Sequence, residues 1–192
     1  MFCAVCNTSY DENKNCPECG FKNNHNEFAE ESEKTRWEND IVLPYRAQHW
    51  QHLTEFEFEG TTLKKYKSKN KRVDSVKIPY GVEKIGKRAF HDAQFVKFID
   101  MPNTVKEIDS EAFDFCIGLQ YINLSSNLHT IGIRAFSFCQ GLEMMKLPKS
   151  VECIKKEAFA NCWNLLVVIT PKDIKLGEDV YYGCGCLKVN YS

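Results

Sequence analysis

Four cysteines near the start of the chain have the type and spacing that metal chemistry requires. Cys3 and Cys6 are separated by two residues, and Cys16 and Cys19 repeat that spacing after nine intervening residues. Two such pairs supply four thiolates, which hold one zinc ion in a tetrahedron at about 2.3 Å. Because four thiolates leave no open coordination position, we predict a structural zinc. Two disulfides or four free thiols are the alternatives.

A segment of this size needs the metal in order to fold. Residues 1–22 are too few to bury a hydrophobic core, so zinc binding would supply the folding free energy. The segment resembles the short zinc-ribbon domains found at the start of many bacterial proteins. That resemblance implies metal binding and indicates no particular function.

The next stretch, residues 23–53, is polar and acidic. We predict a partly helical linker, with a flexible tether as the alternative. Residues 1–40 carry four Lys and Arg against nine Asp and Glu. This balance argues against nucleic-acid binding through the ribbon, because phosphate contacts need basic side chains.

The chain as a whole has 192 residues and a formal net charge of −1, which gives no whole-chain reason to expect nucleic acid or an anionic membrane as a partner. No apolar run approaches the roughly 20 residues that cross a bilayer. The first residues also lack the basic start and apolar stretch of a signal peptide. We therefore expect a cytoplasmic protein without a membrane partner.

Internal repetition dominates the rest of the sequence. An Ala-Phe pair recurs every 23 residues, and columns of Leu, Ile and Val keep the same step. The pairs are Ala89-Phe90, Ala112-Phe113, Ala135-Phe136 and Ala158-Phe159. A fixed period of 20–29 residues with an L-x-x-L-x-L head is typical of a leucine-rich-repeat solenoid.

We therefore predict a mostly β solenoid of about five 23-residue units over residues 54–192, preceded by the four-cysteine ribbon. Alternating apolar residues around Gly60 predict a β-hairpin that caps the first repeat, over 54–70. The repeats occupy 73–175. Residues 176–192 lose the repeat pattern and are interpreted as the C-terminal cap.

Four further cysteines occupy one column of the repeat, at Cys116, Cys139, Cys162 and Cys184. Free cysteine packs as a small hydrophobic residue, so this column is predicted to be core rather than a ligand set. Cys153 and Cys186 fall outside both cysteine patterns, and the sequence suggests no role for either.

One unit carries a family resemblance. Leu124 to Leu142 reads L-S-S-N-L-H-T-I-G-I-R-A-F-S-F-C-Q-G-L, and the flanking units keep this pattern. It resembles the BspA-type leucine-rich repeat. The resemblance implies a role in adhesion and protein–protein interaction, often at cell surfaces. A zinc ribbon without an export signal departs from the surface role and leaves the interaction role.

The outward positions of the repeat strands form two columns that would line the concave face of the solenoid. The first is Ser75, Phe98, Tyr121, Met144 and Val167, and the second is Lys77, Asp100, Asn123, Lys146 and Ile169. The first column is more apolar than a solvent-facing row needs to be. We predict a partner site at Phe98, Tyr121, Met144, Val167 and Ile169. Alternatives are a homodimer, cover by residues 24–53, or ordinary exposed side chains.

These features favour a non-catalytic module that binds a protein partner. The sequence has no Gly-rich phosphate loop, paired-histidine metal motif or nucleophile elbow, and its five histidines are scattered. We therefore predict that it is not an enzyme. The alternative function is a nucleic-acid-associated regulator that acts through the zinc ribbon.

Overall fold

The computed structural model describes residues 54–67, 73–185 and 187–191. The predicted zinc ribbon and linker, and with them Cys3, Cys6, Cys16 and Cys19, lie outside the described residues. Thirteen strands occur in the described part. They are β1 (Phe56–Glu59), β2 (Thr62–Tyr66), β3 (Ser75–Lys77), β4 (Lys84–Ile85), β5 (Phe98–Asp100), β6 (Glu107–Ile108), β7 (Tyr121–Asn123), β8 (Thr130–Ile131), β9 (Met144–Lys146), β10 (Cys153–Ile154), β11 (Val167–Thr170), β12 (Lys175–Leu176) and β13 (Lys188–Tyr191).

The chain winds as a solenoid, which confirms the predicted mostly β solenoid. Each coil contributes one strand to a front surface and one to a back surface. The front strands β3, β5 and β7 form one parallel sheet, and β9, β11 and β13 form another. Partners in these sheets stand one repeat apart, as Phe98 opposite Tyr121 shows. Equivalent residues of successive repeats are therefore paired with each other.

The back surface is a single seven-stranded sheet in the order β1-β2-β4-β6-β8-β10-β12. Its repeat strands are only two residues long and were not predicted from the sequence. Ile85, Ile108, Ile131 and Ile154 point inward from them and are fully buried. Each extends the sheet because the isoleucine pairs with its counterpart one coil away.

An antiparallel hairpin begins this back sheet. β1 pairs with β2 across a turn in which Gly60 has φ +57°, a conformation that glycine adopts without strain. β2 then pairs in parallel with β4 through Leu63 and Ile85. The hairpin thus covers the edge strand of the first repeat.

The core is a stack of identical side chains. The repeated phenylalanine rings are at most 1% exposed, and neighbouring centroids lie 5.0–5.2 Å apart. Cys116, Cys139 and Cys162 are buried beside them, as predicted, whereas Cys184 is half-buried. Each coil therefore completes its own core only against the next coil.

The cysteine column also links the coils through hydrogen bonds. The Cys116 thiol donates to the carbonyl of Phe90 at 3.0 Å, and the Cys139 thiol donates to that of Phe113 at 3.2 Å. Cys162 repeats the contact. Burial raises the pKa of the Cys139 thiol well above its usual value. The Cys139 thiol is therefore a protonated donor within the core.

Turns between the front and back strands use left-handed backbone at two positions in each coil. The first column is Arg88, Glu111, Arg134, Glu157 and Asp179, and the second is Asp92, Phe115, Phe138, Asn161 and Gly183. In every coil but the last, their N–H groups bond to carbonyl oxygens of the following coil, as Phe115 does to Ser137 at 3.0 Å. These bonds between coils offset the strain of a left-handed non-glycine residue.

Two details differ from the sequence prediction. Leu124, expected in the core, is half-buried, and the neighbouring Ser125 is 1% exposed. Ser125 occupies the position at which the other repeats have proline. Its hydroxyl accepts a hydrogen bond from the Asn127 N–H. In addition, the segment interpreted as a cap contains β13, which continues the front surface by pairing with β11.

Candidate functional site

The front strands hold a row of outward-facing side chains, which we call the front row: Ser75, Phe98, Tyr121, Met144, Val167 and Lys188. In β5, β7 and β9 the middle residue lies in the core, so the residues on either side face outward. Phe98 is 43% exposed, Tyr121 55% and Met144 56%. These three large side chains lie on neighbouring front strands.

The pairing register aligns members of this row. Phe98 lies between Ser75 and Tyr121 on paired strands, and Met144 lies opposite Val167. The row is divided between the two front sheets, β3-β5-β7 and β9-β11-β13. The division lies between β7 and β9, so Tyr121 and Met144 belong to different sheets.

A second outward row runs beside the first and is mainly polar. It contains Lys77, Asp100, Asn123, Lys146, Ile169 and Asn190. The Asn123 amide donates to the Asp100 carboxylate at 2.8 Å, which fixes both side chains. The large apolar side chains of the front row are therefore flanked by a mainly polar row.

The five residues of the predicted partner site are not equally exposed. Val167 and Ile169 are half-buried, so they offer less surface than Phe98, Tyr121 and Met144. Lys188 and Asn190 were missed, although they extend both rows by pairing with β11. Alternation in Leu187 to Tyr191 was the signal that could have found them.

Cys153, for which the sequence suggested no role, lies on the back sheet. It is half-buried on β10 and pairs with Thr130 of β8 and Lys175 of β12. Its counterparts in other coils are Lys84 and Glu107. Cys153 therefore belongs to a surface column and not to the buried cysteine ladder.

Within residues 54–67, 73–185 and 187–191, no helix is long and apolar enough to cross a membrane.

Comparison with solved structures finds the same solenoid in several bacterial proteins. A leucine-rich cell surface protein from Faecalibacterium prausnitzii is 29% identical, with a TM-score of 0.66, and the match covers 71% of this chain and 37% of that one. A leucine-rich repeat protein from T. pallidum is 25% identical, with the same TM-score, and the match covers 71% and 68% of the two chains. The pneumococcal vaccine antigen PcpA, 22% identical with a TM-score of 0.59, shares the fold over 71% of this chain and 35% of its own. No curated protein matches the sequence.

The first of these relatives is much longer than this chain, which spans 37% of its length. The family description "BspA type leucine rich repeat region" matches residues 61–188 in six copies. Six copies agree with the six front strands, the last of which is β13. Leucine-rich-repeat proteins are generally protein-interaction modules and typically not enzymes. The chain belongs to the BspA-type leucine-rich-repeat family.

Proposed function

We propose that the protein is a non-catalytic module that binds a protein partner on the front row. The single observation that carries this proposal is the exposure of Phe98, Tyr121 and Met144 on neighbouring front strands, of which those of Phe98 and Tyr121 are paired. Aromatic side chains and methionine are enriched in interface cores. Strands that are already ordered lose little backbone entropy on binding.

The dimensions of the surface suit the centre of an interface. Paired strands lie about 4.8 Å apart, which is the spacing of Phe98 and Tyr121 and, in the second sheet, of Met144 and Val167. A stable interface buries about 800 Å² on each partner, which is more than four side chains supply. The polar row with Asp100 and Asn123 would then form the rim.

The test is an affinity pull-down from the lysate of the native host with three baits. They are the wild type, the double variant Tyr121→Asp with Met144→Asp, and a control with Ile133→Asp and Leu176→Asp. The control residues are 44% and 50% exposed and lie outside the front strands. Each double variant introduces two aspartates, so the front-row variant and the control add the same charge.

We expect a protein that the wild type and the control enrich and the front-row variant does not. Far-UV circular dichroism checks that all three baits keep the native spectrum. Equal recovery by all three would refute the proposal. Light scattering of the purified proteins separates a foreign partner from a second copy, because a homodimer would dissociate only in the front-row variant.

We also propose that Cys3, Cys6, Cys16 and Cys19 bind one structural zinc ion. Support comes from their number and spacing, which match a closed tetrahedral site. Metal analysis of the full chain should find one zinc per protein, lost in a Cys16→Ser, Cys19→Ser variant and retained in Cys153→Ser. Zinc retained by the double variant would contradict the assignment.

No observation on the described residues favours the nucleic-acid alternative, so the proposal is confined to a protein partner. The cytoplasmic location stays a prediction. The F. prausnitzii relative is described as a cell surface protein. Fractionation of host cells with an antibody against this protein would distinguish the two locations.

A further inference from the structure

In the part of the chain that the structure describes, the front surface is interrupted once, between β7 and β9. β7 pairs with β5 on one side and β9 pairs with β11 on the other, but β7 and β9 belong to different sheets. The other successive front strands are joined by parallel ladders. We call this boundary the seam. It separates two blocks of coils, each of which has a continuous front sheet of its own.

A backbone hydrogen bond is missing where the chain enters the front strand beyond the seam. At other boundaries the residue before a front strand donates to the preceding coil. The Gln120 N–H donates to the Lys97 carbonyl oxygen at 2.9 Å. The Leu166 N–H donates in the same way to that of Glu143, also at 2.9 Å. At the seam the equivalent donor is the Glu143 N–H, which has no backbone acceptor among the described residues.

A second bond is missing where the chain leaves the front strand before the seam. The Met101 N–H donates to the Asn123 carbonyl oxygen of the following coil at 3.0 Å. The Leu147 N–H makes the same bond to Ile169 at 2.8 Å. Their counterpart at the seam is the Leu124 N–H, for which the described residues supply no backbone acceptor. The front edges of the two coils are therefore apart at both ends of the strands.

The sequence departs from the repeat at the same place. Ile78, Met101 and Leu147 follow their front strands directly and are at most 4% exposed. Leu124 has the equivalent position and is half-buried, while the next residue, Ser125, is 1% exposed. The buried position has therefore moved by one residue in the coil whose Leu124 N–H lacks its partner.

Elsewhere the same two coils are joined as the other coils are. On the back sheet, Ile131 of β8 pairs with Ile154 of β10. In the core, the Phe113 and Phe136 rings stack with centroids 5.0 Å apart. At the turn, the Phe113 N–H donates to the Ala135 carbonyl oxygen at 2.8 Å. The two blocks are therefore connected along the back sheet, through the core and at the turn, and divided at the front.

We propose that the seam is a hinge, at which the front surface opens and closes while the back sheet stays paired. The edges that β7 and β9 present to each other carry complementary N–H and C=O groups, because both strands have the same place in the repeat. Closure exchanges hydrogen bonds with water for hydrogen bonds across the seam. The net free energy of such an exchange is small, so both forms are populated. The closed form has one six-stranded front sheet.

The hinge changes the shape of the front row, because Tyr121 and Met144 lie on opposite sides of the seam. In the closed form their backbones reach the spacing of paired strands, about 4.8 Å. In the open form the row is divided into two parts. A partner that contacts both parts therefore binds one form in preference to the other. This effect on binding rests on the proposed function, whereas the hinge itself does not.

Engineered disulfides measure how often the seam closes, because a disulfide needs Cα atoms about 4.4–6.8 Å apart. The pair Asn123→Cys with Lys146→Cys spans the seam in the second outward row. Two control pairs lie on strands that are paired, and each shares one substitution with the seam pair. They are Asp100→Cys with Asn123→Cys, and Lys146→Cys with Ile169→Cys.

The full-length variants are equilibrated with reduced and oxidised glutathione. Each protein disulfide that forms converts one oxidised glutathione into two reduced ones, and peptide mass spectrometry distinguishes the engineered pair from the native cysteines. We expect the seam disulfide to form with an effective concentration at least about tenfold below that of both controls. A seam disulfide that does not form would show a front surface that never closes. An effective concentration equal to that of the controls would show one that never opens, and either result overturns the hinge.

Hydrogen exchange of the wild type tests the open form without any substitution. In NMR-detected exchange of the full-length protein, the Leu124 and Glu143 amides should exchange at least about tenfold faster than their counterparts. The counterparts are Met101 and Leu147 for Leu124, and Gln120 and Leu166 for Glu143. Equal protection at all of these amides would mean that the front sheet is continuous in solution, and the proposal would then be wrong.

Discussion

The phenylalanine column offers the most direct test of how this solenoid is stabilised. Phe136 is fully buried and lies between two stacked neighbours, with centroid distances of 5.0 Å to Phe113 and 5.2 Å to Phe159. Replacing Phe136 with alanine opens a cavity and removes both stacking contacts. It should therefore destabilise the protein more than the same change at the end of the column.

The magnitude follows from these contacts. Truncation of a buried phenylalanine to alanine costs about 3–5 kcal/mol, depending on how far the site can collapse. Each stacked aromatic pair contributes about 0.5–1.5 kcal/mol beyond the buried area. Since Phe136 has two such partners, we expect a value near the upper limit, about 4–5 kcal/mol. In a chain of this length that lowers Tm by about 8–20 °C.

The assay is urea denaturation followed by far-UV circular dichroism, with Phe136→Leu and Tyr181→Ala alongside. Leucine keeps most of the volume and loses mainly the stacking, so Phe136→Leu should cost about 1–3 kcal/mol. Tyr181 is half-buried and stacks on Phe159 alone, at 5.8 Å, so its loss should cost less than that of Phe136. The idea of a stacked column as the main stabilising element is refuted if Phe136→Ala costs under about 2 kcal/mol. It is equally refuted if that change costs no more than Tyr181→Ala.

Three further predictions concern other parts of the solenoid. Gly132→Ala should destabilise the protein by about 1–3 kcal/mol in the same urea assay, because the new Cβ would overpack the coil below. That Cβ would lie 2.5 Å from the carbonyl carbon of Asp109. Iodoacetamide should modify half-buried Cys153 in the native protein and leave buried Cys139 unmodified, which peptide mass spectrometry detects. Although burial alone would raise the pKa of Asp109, the Lys84 ammonium at 2.9 Å and a backbone N–H hold it below its usual value of 3.8. This ion pair stabilises the fold above that value and is lost as the pH falls through the lower folded pKa. Lys84→Gln should therefore cost about 0.5–1 kcal/mol at pH 7 and almost nothing in strong acid.

The core could be predicted from the sequence because each coil packs on a copy of itself. The same residue type must recur in each coil for the rings to stack, so the 23-residue period identifies the core column of Phe90, Phe113, Phe136 and Phe159. The front strands followed from the same columns, since alternation fixes which residues face outward. The surface positions of Phe98, Tyr121 and Met144 therefore follow from the repeat pattern alone.

The back sheet could not be predicted in the same way. Its repeat strands, such as Lys84–Ile85, have two residues, which is too few for alternation to be recognised. The only signal was the isoleucine column, which fits a turn equally well. Left-handed backbone at Arg88, Glu111 or Phe115 was also hidden, because these residue types rarely adopt it.

The burial of Asp114 could not be predicted from the sequence, because it is a property of the fold. Its column reads His91, Asp114, Ser137, Ala160 and Tyr182, which in sequence is typical of a solvated turn. Only the stacking of the coils reduces the exposure of Asp114 to 8%. The Phe115–Phe138 contact likewise depends on turns that bring residues 23 apart to 4.5 Å.

The proposed partner site lies where the repeat stops repeating, and the architecture gives a physical reason. A buried column cannot vary freely, because a change in one coil alters the packing of its neighbours. Outward columns are free of that constraint, so Ser75, Phe98, Tyr121 and Met144 differ although they occupy one position. Substitutions in the front row should therefore alter binding with little loss of stability, whereas substitutions in the phenylalanine column should do the reverse.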